Sequence, residues 1–356
     1  MKIGIIGDAH FKDFLSYADY ISDKREGERK EILDFILESF QDCQHIVFLG
    51  DVFHSKNNSS ETNRAAVEFL EKFEDKEIYL ISGNHDKKGD GKTAIDFLGE
   101  IKKKNWHIFT RPGTISLIVK HRAVGKSIDP HPIFKMDFLP YMLNSELGVE
   151  NSEQATKEIM KHLDGGDILF THHNITGTSF NGISTDVLKG VVLPKEKLEK
   201  KYKKIFAGDI HVPQQYGNVI ITGSVFTSEV NEIEKFIWKI DDKLNIEKIK
   251  TPCREIHKLV NPKGAELSWI PENSIVKIVI TDKKAYPEGI EGLKELAEER
   301  FEAILFIEDY PSERKKTHIE EGAAFDFSIE ALLALYAKEK GVELEKLLKG
   351  LELINK

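Results

Sequence analysis

The first 210 residues alternate short apolar runs with amphipathic helical patterns. Each run is β-rich and short, which is typical of a buried strand. Between the runs, apolar residues recur at spacings of three and four, as in the segments 31–38 and 65–70. This alternation predicts a layered α/β fold. The five runs are 2–7, 45–50, 77–82, 167–171 and 204–207. Further strands predicted at 114–119, 218–222 and 236–240 indicate a mixed sheet.

The part of the chain that follows is predicted to form a smaller unit. Prolines and glycines punctuate a polar stretch from about 252 to 272, which indicates a domain boundary. After it, the segments 274–280, 289–300 and 301–307 have the pattern of a β-α-β unit.

The last residues have the pattern of two amphipathic helices, 328–341 and 342–354. We therefore predict three parts: a large domain 1–251, a small domain 252–312 and a helical tail 313–356.

Composition narrows the functional classes. The 356 residues carry 51 Lys and Arg against 60 Asp and Glu, a net charge of −9, so bulk positive charge cannot hold nucleic acid. A site whose positive charge comes from bound metal stays open. Two cysteines form no disulfide framework, which fits a reducing compartment. With no signal peptide and no long apolar stretch, we expect a cytoplasmic protein that does not associate with membranes.

Each of the five predicted strands is followed by Asp, Asn or His. They are Asp8 and His10, Asp51 and His54, Asn84, His85 and Asp86, His172 and His173, and Asp209 and His211. Ligands of open α/β sheets gather at the carboxyl ends of strands. Carboxylate, amide and imidazole together suit harder divalent metals such as Mn²⁺. One Asp can bridge two ions about 3.5–4 Å apart.

Each motif alone also has a purely structural explanation. Asp-x-His after a strand is often a turn with a capping carboxylate, and Gly-Asp pairs are common in turns. The tetrapeptide 83–86, Gly-Asn-His-Asp, is more informative because turn formation does not require His and Asp together. Five such motifs in order, each at a strand end, favour a metal site.

The motif order is that of the calcineurin-like metallophosphoesterases. Residues 50–54, Gly-Asp-Val-Phe-His, resemble the Gly-Asp-Leu-Phe-His of DNA-repair nucleases. Residues 208–214, Gly-Asp-Ile-His-Val-Pro-Gln, resemble the Gly-His-Ile-His-x-Pro-Gln of bacterial SbcD, and 223–224 fall where that family has a Gly-Ser loop. The layout is similar to SbcD and Mre-eleven-type nuclease subunits, including those of tailed phages. The resemblance is dense in motifs to about residue 230 and architectural beyond it.

The resemblance implies a fold and a set of metal ligands. The fold would be a four-layer α/β/β/α metallophosphoesterase sandwich with a small β-α-β capping domain and a helical C-terminal tail. The cofactors would be two divalent ions, Mn²⁺ with Mg²⁺ as the alternative. The implied ligands are Asp8, His10 and His211 for the first ion, Asn84, His172 and Asp209 for the second, and Asp51 as the bridge between them.

The resemblance also implies roles around the metals. His85 would be the general acid that protonates the leaving 3′-oxygen, and Asp86 could orient it. His54 would contact the phosphate or the leaving group. The alternative for His54 and His173 is a histidine with no direct role, which we favour for His173.

Position 209 departs from the family, which has His where this chain has Asp209. A carboxylate can bind Mn²⁺, but it is shorter than imidazole and negatively charged. Either Asp209 binds the second ion, or it turns away and the second site is weak. We predict that metal is still bound.

The function implied is an Mn²⁺-dependent DNA nuclease with 3′-to-5′ exonuclease and single-strand endonuclease activities. The apolar pattern 329–336 in the tail needs a partner, within the chain or outside it, and the resemblance implies a coiled-coil ATPase of the SbcC type. Helices at 29–41 and 63–74 could form a homodimer interface like that of the resembled family, or simply pack on the sheet. Lysines at 102–104 and 197–204 could line a DNA path or form a solvated face. The alternatives are a phosphatase or phosphodiesterase of the same superfamily, and a catalytically weakened scaffold.

Overall fold

The computed structural model describes most of the chain up to residue 309. The described residues are 1–12, 25–88, 91–118, 132–180, 183–185, 190–227, 232, 234–301 and 303–309. The chain divides into two compact units, Met1–Tyr310 and Pro311–Lys356. The predicted tail helices at 328–341 and 342–354 lie outside the described residues.

Helices and strands alternate along the described part of the chain. The strands are β1 (Lys2–Ile6), β2 (His45–Phe48), β3 (Glu77–Ile81), β4 (Trp106–Phe109), β5 (Gly113–Ile118), β6 (Pro132–Leu139), β7 (Gly166–Thr171), β8 (Asn174–Ile175), β9 (Ser179–Phe180), β10 (Ile183–Ser184), β11 (Val192–Leu193), β12 (Tyr202–Ala207), β13 (Gln214–Tyr216), β14 (Val219–Ile221), β15 (Phe236–Asp241), β16 (Ile246–Lys250), β17 (Ile256–Val260), β18 (Ile275–Ile280) and β19 (Ala303–Glu308). The α-helices are α1 (Arg25–Ser39), α2 (Ser60–Glu71), α3 (Asp96–Glu100), α4 (Ser152–Lys161), α5 (Lys195–Glu199) and α6 (Glu291–Arg300). Short 3₁₀ turns lie at Gly264–Leu267 and Lys283–Ala285.

Two six-stranded mixed sheets make up most of the first unit. The first has the order β16-β15-β1-β2-β3-β4, in which β1 to β4 are parallel, β15 is antiparallel to β1, and β16 is antiparallel to β15. The second has the order β13-β14-β12-β7-β6-β5, with a parallel centre and antiparallel edges. The predicted α/β class with mixed pairing is therefore confirmed.

The two sheets share one buried core. A row of stacked rings runs through it: Phe109 and Phe138 have centroids 4.4 Å apart, Phe138 and Phe170 5.3 Å, and Phe170 and Phe206 5.7 Å. Ile5 of the first sheet is buried in the same cluster. Aromatic pairs at these separations add to the stability gained by burying their apolar area.

Helices cover other faces of the two sheets. On the first sheet, Ile32 and Ile36 of α1 and Phe69 of α2 are buried in one cluster with Ile46. Ser59 caps the N-terminus of α2, because its hydroxyl accepts a hydrogen bond from Thr62 N at 3.1 Å. On the second sheet, a separate cluster buries residues of α4 and α5 against its strands. This packing holds the strand ends that carry the candidate site.

A small parallel sheet lies at the end of the first unit, in the order β17-β18-β19. Helix α6 connects β18 to β19 and buries Leu293 and Ala297 against Ile278. This β-α-β unit lies where the sequence predicts one. Strand β17 does not: it lies inside the polar stretch 252–272 that was interpreted as a boundary, and it pairs with β18 over its whole length. The boundaries at 251 and 312 stay predictions. Among the described residues, no helix is both long and apolar enough to cross a membrane.

Candidate metal centre

Loops after five strands converge on one site. Strands β1, β2 and β3 belong to the first sheet, and β7 and β12 to the second. Their following loops supply the residues that the sequence singles out. Those brought together are Asp8, His10, Asp51, His54, Asn84, His85, His172, Asp209 and His211.

The backbone of three of these residues is left-handed. His10 and Asp51 have φ of 44°, and Asp209 has φ of 74°. This conformation is uncommon for residues other than glycine and costs about 1–3 kcal/mol per residue. Residues held in it cluster at functional sites. The loops hold it through backbone bonds such as His10 N to Asp51 O at 2.8 Å.

Glycines before two aspartates allow the close approach of the loops. A Cβ on Gly50 would lie 2.3 Å from Nδ1 of His172, and one on Gly208 would lie 2.6 Å from Oδ1 of Asp8. Real Cβ atoms do not come so close to other atoms. The Gly-Asp pairs at 50–51 and 208–209 are therefore explained by packing around His172 and Asp8 rather than by turn formation alone.

Asp8, His10 and His211 form the first ligand group, with one ligand atom of each within 4.8 Å of the others. His10 Nε2 and His211 Nε2 are 2.9 Å apart, and His211 Nε2 is 3.7 Å from Asp8 Oδ2. Ligands at neighbouring octahedral positions, each about 2.1 Å from the ion, lie about 3 Å apart. Asp8 Oδ2 is buried and has no hydrogen-bond partner among the described residues. A divalent ion would satisfy it.

The second ligand group surrounds His172. Its Nδ1 contacts the Leu49 carbonyl at 2.6 Å, which leaves Nε2 to act as a ligand. That Nε2 lies 2.9 Å from Asn84 Oδ1, 3.4 Å from Asp51 Oδ2 and 3.9 Å from Asp209 Oδ1.

Asn84 can turn either its amide oxygen or its NH₂ group toward this point. Its inward oxygen lies 3.1 Å from Asp51 Oδ2 and 3.3 Å from Asp209 Oδ1, both of which are acceptors. Without a cation, the opposite amide orientation is favoured, because its NH₂ group then donates to the same atoms. A cation between these atoms makes the inward oxygen favourable, as a metal ligand requires.

Asp51 lies beside both ligand groups. Its Oδ2 lies 3.4 Å from His172 Nε2 and 3.9 Å from His10 Nε2. Its Oδ1 accepts a hydrogen bond from the backbone N of His85 at 2.9 Å. One carboxylate oxygen therefore faces the two groups together, and the other ties the carboxylate to the next loop.

Asp209 points into the site. Its Oδ1 faces His172 and Asn84, while Oδ2 accepts a hydrogen bond from Asn174 Nδ2. Its backbone N donates to Asp8 Oδ1 at 3.3 Å. Of the two alternatives for this departure from the family, the structure shows the carboxylate turned inward.

Several carboxylates lie close together in this buried site. Burial raises the pKa of Asp8 to about 6 and also raises the pKa of Asp209. Burial is the largest influence on Asp51 and opposes its ionisation, but the charge and hydrogen bond of His172, together with the neighbouring histidines, outweigh it and hold the Asp51 pKa at about 2. Burial holds the pKa of His10 well below its ordinary value, so this imidazole is neutral. A divalent cation would compensate the crowded carboxylates.

His54 and His85 lie exposed beside the two groups. Their rings stack with centroids 5.4 Å apart, and each meets the His10 ring edge-on at 5.2 and 5.1 Å. His85 Nδ1 donates to the His54 carbonyl oxygen at 2.8 Å. That contact fixes the ring and leaves Nε2 as the atom for proton transfer.

The contact of Asp86 differs from the one suggested by the sequence. Its buried carboxylate accepts hydrogen bonds from Gly83 N at 2.9 Å and Phe53 N at 3.1 Å, so it shapes the 83–86 turn. Burial raises its pKa to about 7. The backbone of His54 orients His85 instead.

His173 faces away from the ligand groups. It is buried, its Nε2 accepts a hydrogen bond from Met142 N at 3.2 Å, and its ring stacks on Tyr141. Burial lowers its pKa to about 3, so it is a neutral core histidine. Of the pair 172–173, the first faces the site.

Glu232 and Lys235 were not predicted from the sequence. Glu232 Oε1 lies 3.0 Å from His211 Nδ1, and Lys235 Nζ lies 3.1 Å from Glu232 Oε2. They follow no predicted strand end, and charged residues outside such motifs are usually solvated. The only signal in the sequence is their proximity to the 223–224 Gly-Ser loop.

Added Mn²⁺ is expected to stabilise the fold. Binding to the native state alone contributes about 2.7 kcal/mol per site at a free concentration near 100 times Kd. Thermal unfolding followed by circular dichroism, with chelator or with Mn²⁺, measures this. The control is Asp51→Asn, whose midpoint should respond much less. Equal midpoints for the wild type in chelator and in Mn²⁺ would contradict the metal centre.

Comparison with known families agrees with this geometry. The protein-family model for calcineurin-like phosphoesterases matches residues 1–213, which span all of the candidate ligands from Asp8 to His211. A comparison with curated proteins gave no match. The family uses divalent metals, and the described His and Asp groups are placed to hold them. The chain therefore belongs to the calcineurin-like phosphoesterase family, whose members are metal-dependent hydrolases.

Proposed function

We propose that this chain is the nuclease subunit of a DNA-end-processing complex, dependent on Mn²⁺ with Mg²⁺ as the alternative. Its activities would be 3′-to-5′ exonuclease on duplex DNA and endonuclease on single strands. The observation that carries the proposal is the Asp51 oxygen facing two ligand groups beside an exposed His85. Its ATPase partner, of the SbcC coiled-coil type, would bind the tail 313–356.

The residues divide the chemistry between them. When bound, two divalent ions supply Lewis-acid activation of the phosphate and of a water nucleophile. His85 donates a proton from Nε2 to the leaving 3′-oxygen, while the His54 carbonyl holds its Nδ1–H. The His54 ring packs against His85 and would contact the phosphate or the leaving group.

Exposure and local charge favour a long phosphodiester substrate. Lys56 and Lys88, which follow His54 and His85 closely in the chain, line a cavity of about 430 Å³. Its lining also includes Lys92, asparagines and the acidic residues Asp96 and Glu100. The lysine clusters at 102–104 and 197–204 are partly neutralised by acidic side chains. Lys103 pairs with Glu71 at 2.7 Å, and Lys203 pairs with Asp167 at 2.7 Å. DNA affinity would therefore depend on the metals, the cavity lysines and a partner rather than on the net charge.

The proposal includes the finer architecture. The separate cores on and between the two sheets support a four-layer α/β/β/α nuclease domain over 1–251. The sheet β17-β18-β19 with α6 would be the capping domain. A homodimer would use α1 and α2, where Leu33 and Phe35 of α1 and Val67 of α2 are only partly buried.

A substrate comparison tests the function. End-labelled linear duplex DNA and bis(p-nitrophenyl) phosphate are each incubated with wild type and Mn²⁺. A nuclease is expected to shorten the DNA progressively, because its substrate contacts extend beyond one phosphodiester. Cleavage of the small ester alone would indicate a phosphodiesterase, and cleavage of neither would indicate a scaffold.

Asp209→His is the matched variant for that assay. Because the Asp209 carboxylate already points inward, wild type is expected to cut DNA without a histidine at this position. Cutting that appears only in Asp209→His would show that the natural chain is weakened, against the proposal.

A further inference from the structure

His211 is held from both sides of its ring. Its Nε2 faces the first ligand group, 2.9 Å from His10 Nε2 and 3.7 Å from Asp8 Oδ2. On the opposite side, its Nδ1 lies 3.0 Å from Oε1 of Glu232. The side chain of Glu232 is 5% exposed, so solvent weakens this contact little.

An ion pair with Lys235 holds the carboxylate of Glu232. Its Nζ lies 3.1 Å from Glu232 Oε2 and donates to the His211 carbonyl at 2.9 Å and to Ser224 Oγ at 2.7 Å. The Lys235 side chain is 1% exposed. One buried ammonium therefore joins the carboxylate, the backbone of the ligand histidine and the 223–224 loop.

The arrangement decides the tautomer of the imidazole. A carboxylate can only accept, so the ring nitrogen facing Glu232 must carry the proton. The lone pair then lies on Nε2, the atom that faces Asp8 and His10. A carboxylate behind a metal-binding histidine also raises its strength as a ligand. The other candidate ligand histidines differ: His172 has the Leu49 carbonyl at Nδ1, and His10 Nδ1 has no hydrogen-bond partner among the described residues.

We propose that Glu232, locked by Lys235, is a positioning residue that fixes the Nδ1–H tautomer of His211 and so sets the metal affinity of the group formed by Asp8, His10 and His211. This role rests on the metal-binding part of the proposed function and does not depend on DNA being the substrate. Glu232 acts only through His211.

Metal affinity is the first test. Calorimetric titration of the full chain with Mn²⁺ compares wild type, Glu232→Gln and Glu234→Gln. Glu234 is the matched control because it is 53% exposed and pairs with Lys250 on the surface. Glu232→Gln is expected to weaken one Mn²⁺ site by roughly 10- to 100-fold, the usual effect of losing such a partner. Glu234→Gln should bind as wild type does. An unchanged affinity in folded Glu232→Gln would overturn the proposal.

The tautomer is the second test, and it needs no metal and no activity. Long-range ¹H–¹⁵N NMR spectra of the histidine-labelled, metal-free protein report which ring nitrogen of His211 carries the proton. Wild type is expected to show Nδ1–H, and Glu232→Ala a mixture. If Glu232→Ala does not fold, the wild-type spectrum still decides, because an Nε2–H tautomer there would contradict the proposal.

Lys235→Met tests the ion pair between Lys235 and Glu232. It is expected to weaken Mn²⁺ binding in the same site, and its effect and that of Glu232→Gln should not add in the double variant. A purely structural pair would lower the unfolding midpoint and leave Mn²⁺ affinity unchanged, which would overturn the positioning role. Should wild type fail to cut DNA while Glu232→Gln still weakens Mn²⁺ binding, the DNA substrate would be wrong and the role of Glu232 would stand.

Discussion

Replacement of Asp51 by asparagine is expected to lower kcat/KM for phosphodiester cleavage by roughly 1,000-fold. Lewis-acid activation by a metal is worth several kcal/mol, and about 1.36 kcal/mol corresponds to a factor of ten. The geometry makes this substitution severe. Because the His85 backbone N donates to Oδ1, the amide oxygen of asparagine would take that position. Its NH₂ group would then occupy the place of Oδ2, which faces both ligand groups. A donor would face the cations.

Steady-state kinetics with Mn²⁺ and calorimetric counting of bound ions measure this effect together. Asp51→Asn should lose ions as well as rate. The control is Asp164→Asn, since Asp164 is 76% exposed and lies on the surface near Lys135. An Asp51→Asn protein with the ion content and rate of wild type would show that Asp51 does not hold the metals.

Replacement of His85 by alanine is expected to slow DNA cleavage by about 10²- to 10⁴-fold, the usual contribution of a general acid. The 3′-oxygen of DNA is a poor leaving group and needs the proton that His85 would donate. p-Nitrophenolate leaves without one. His85→Ala should therefore hydrolyse p-nitrophenyl esters at a rate much closer to wild type. Its Mn²⁺ binding should be unchanged, because alanine retains the backbone N–H that bonds to Asp51.

His162→Ala is the matched control for this substitution, because His162 is exposed at the C-terminal end of α4. Equal losses on DNA and on the p-nitrophenyl ester would show that His85 does not act as the acid. A wild-type rate on DNA would remove it from the reaction altogether.

The ligand candidates could be predicted because their signal is local. Strands β1, β2, β3, β7 and β12 lie within a few residues of the apolar runs that predict them. Polar side chains directly after such strands meet at one edge of a layered fold. The local pattern does not say which strands share a sheet. Strand β1 pairs with β15 more than 230 residues later, a contact set by packing that sequence periodicity does not reveal.

Other features depend on contacts that no local pattern encodes. Strand β17 lies between Pro252 and Pro262, whose turn signals dominate the sequence there, yet its pairing with β18 outweighs them. The sequence places Asp86 next to His85, but the turn geometry directs its carboxylate to Gly83 and Phe53. Glu232 follows no predicted strand and is recognisable only by its contact with His211.

We propose that two metal ions share Asp51, and anomalous diffraction from crystals grown with Mn²⁺ would locate both ions. We expect two peaks about 3.5–4 Å apart, both within bonding distance of Asp51. One peak should be bound by Asp8, His10 and His211, and the other by Asn84, His172 and Asp209. A single peak, or two peaks with Asp51 bound to only one, would contradict the account.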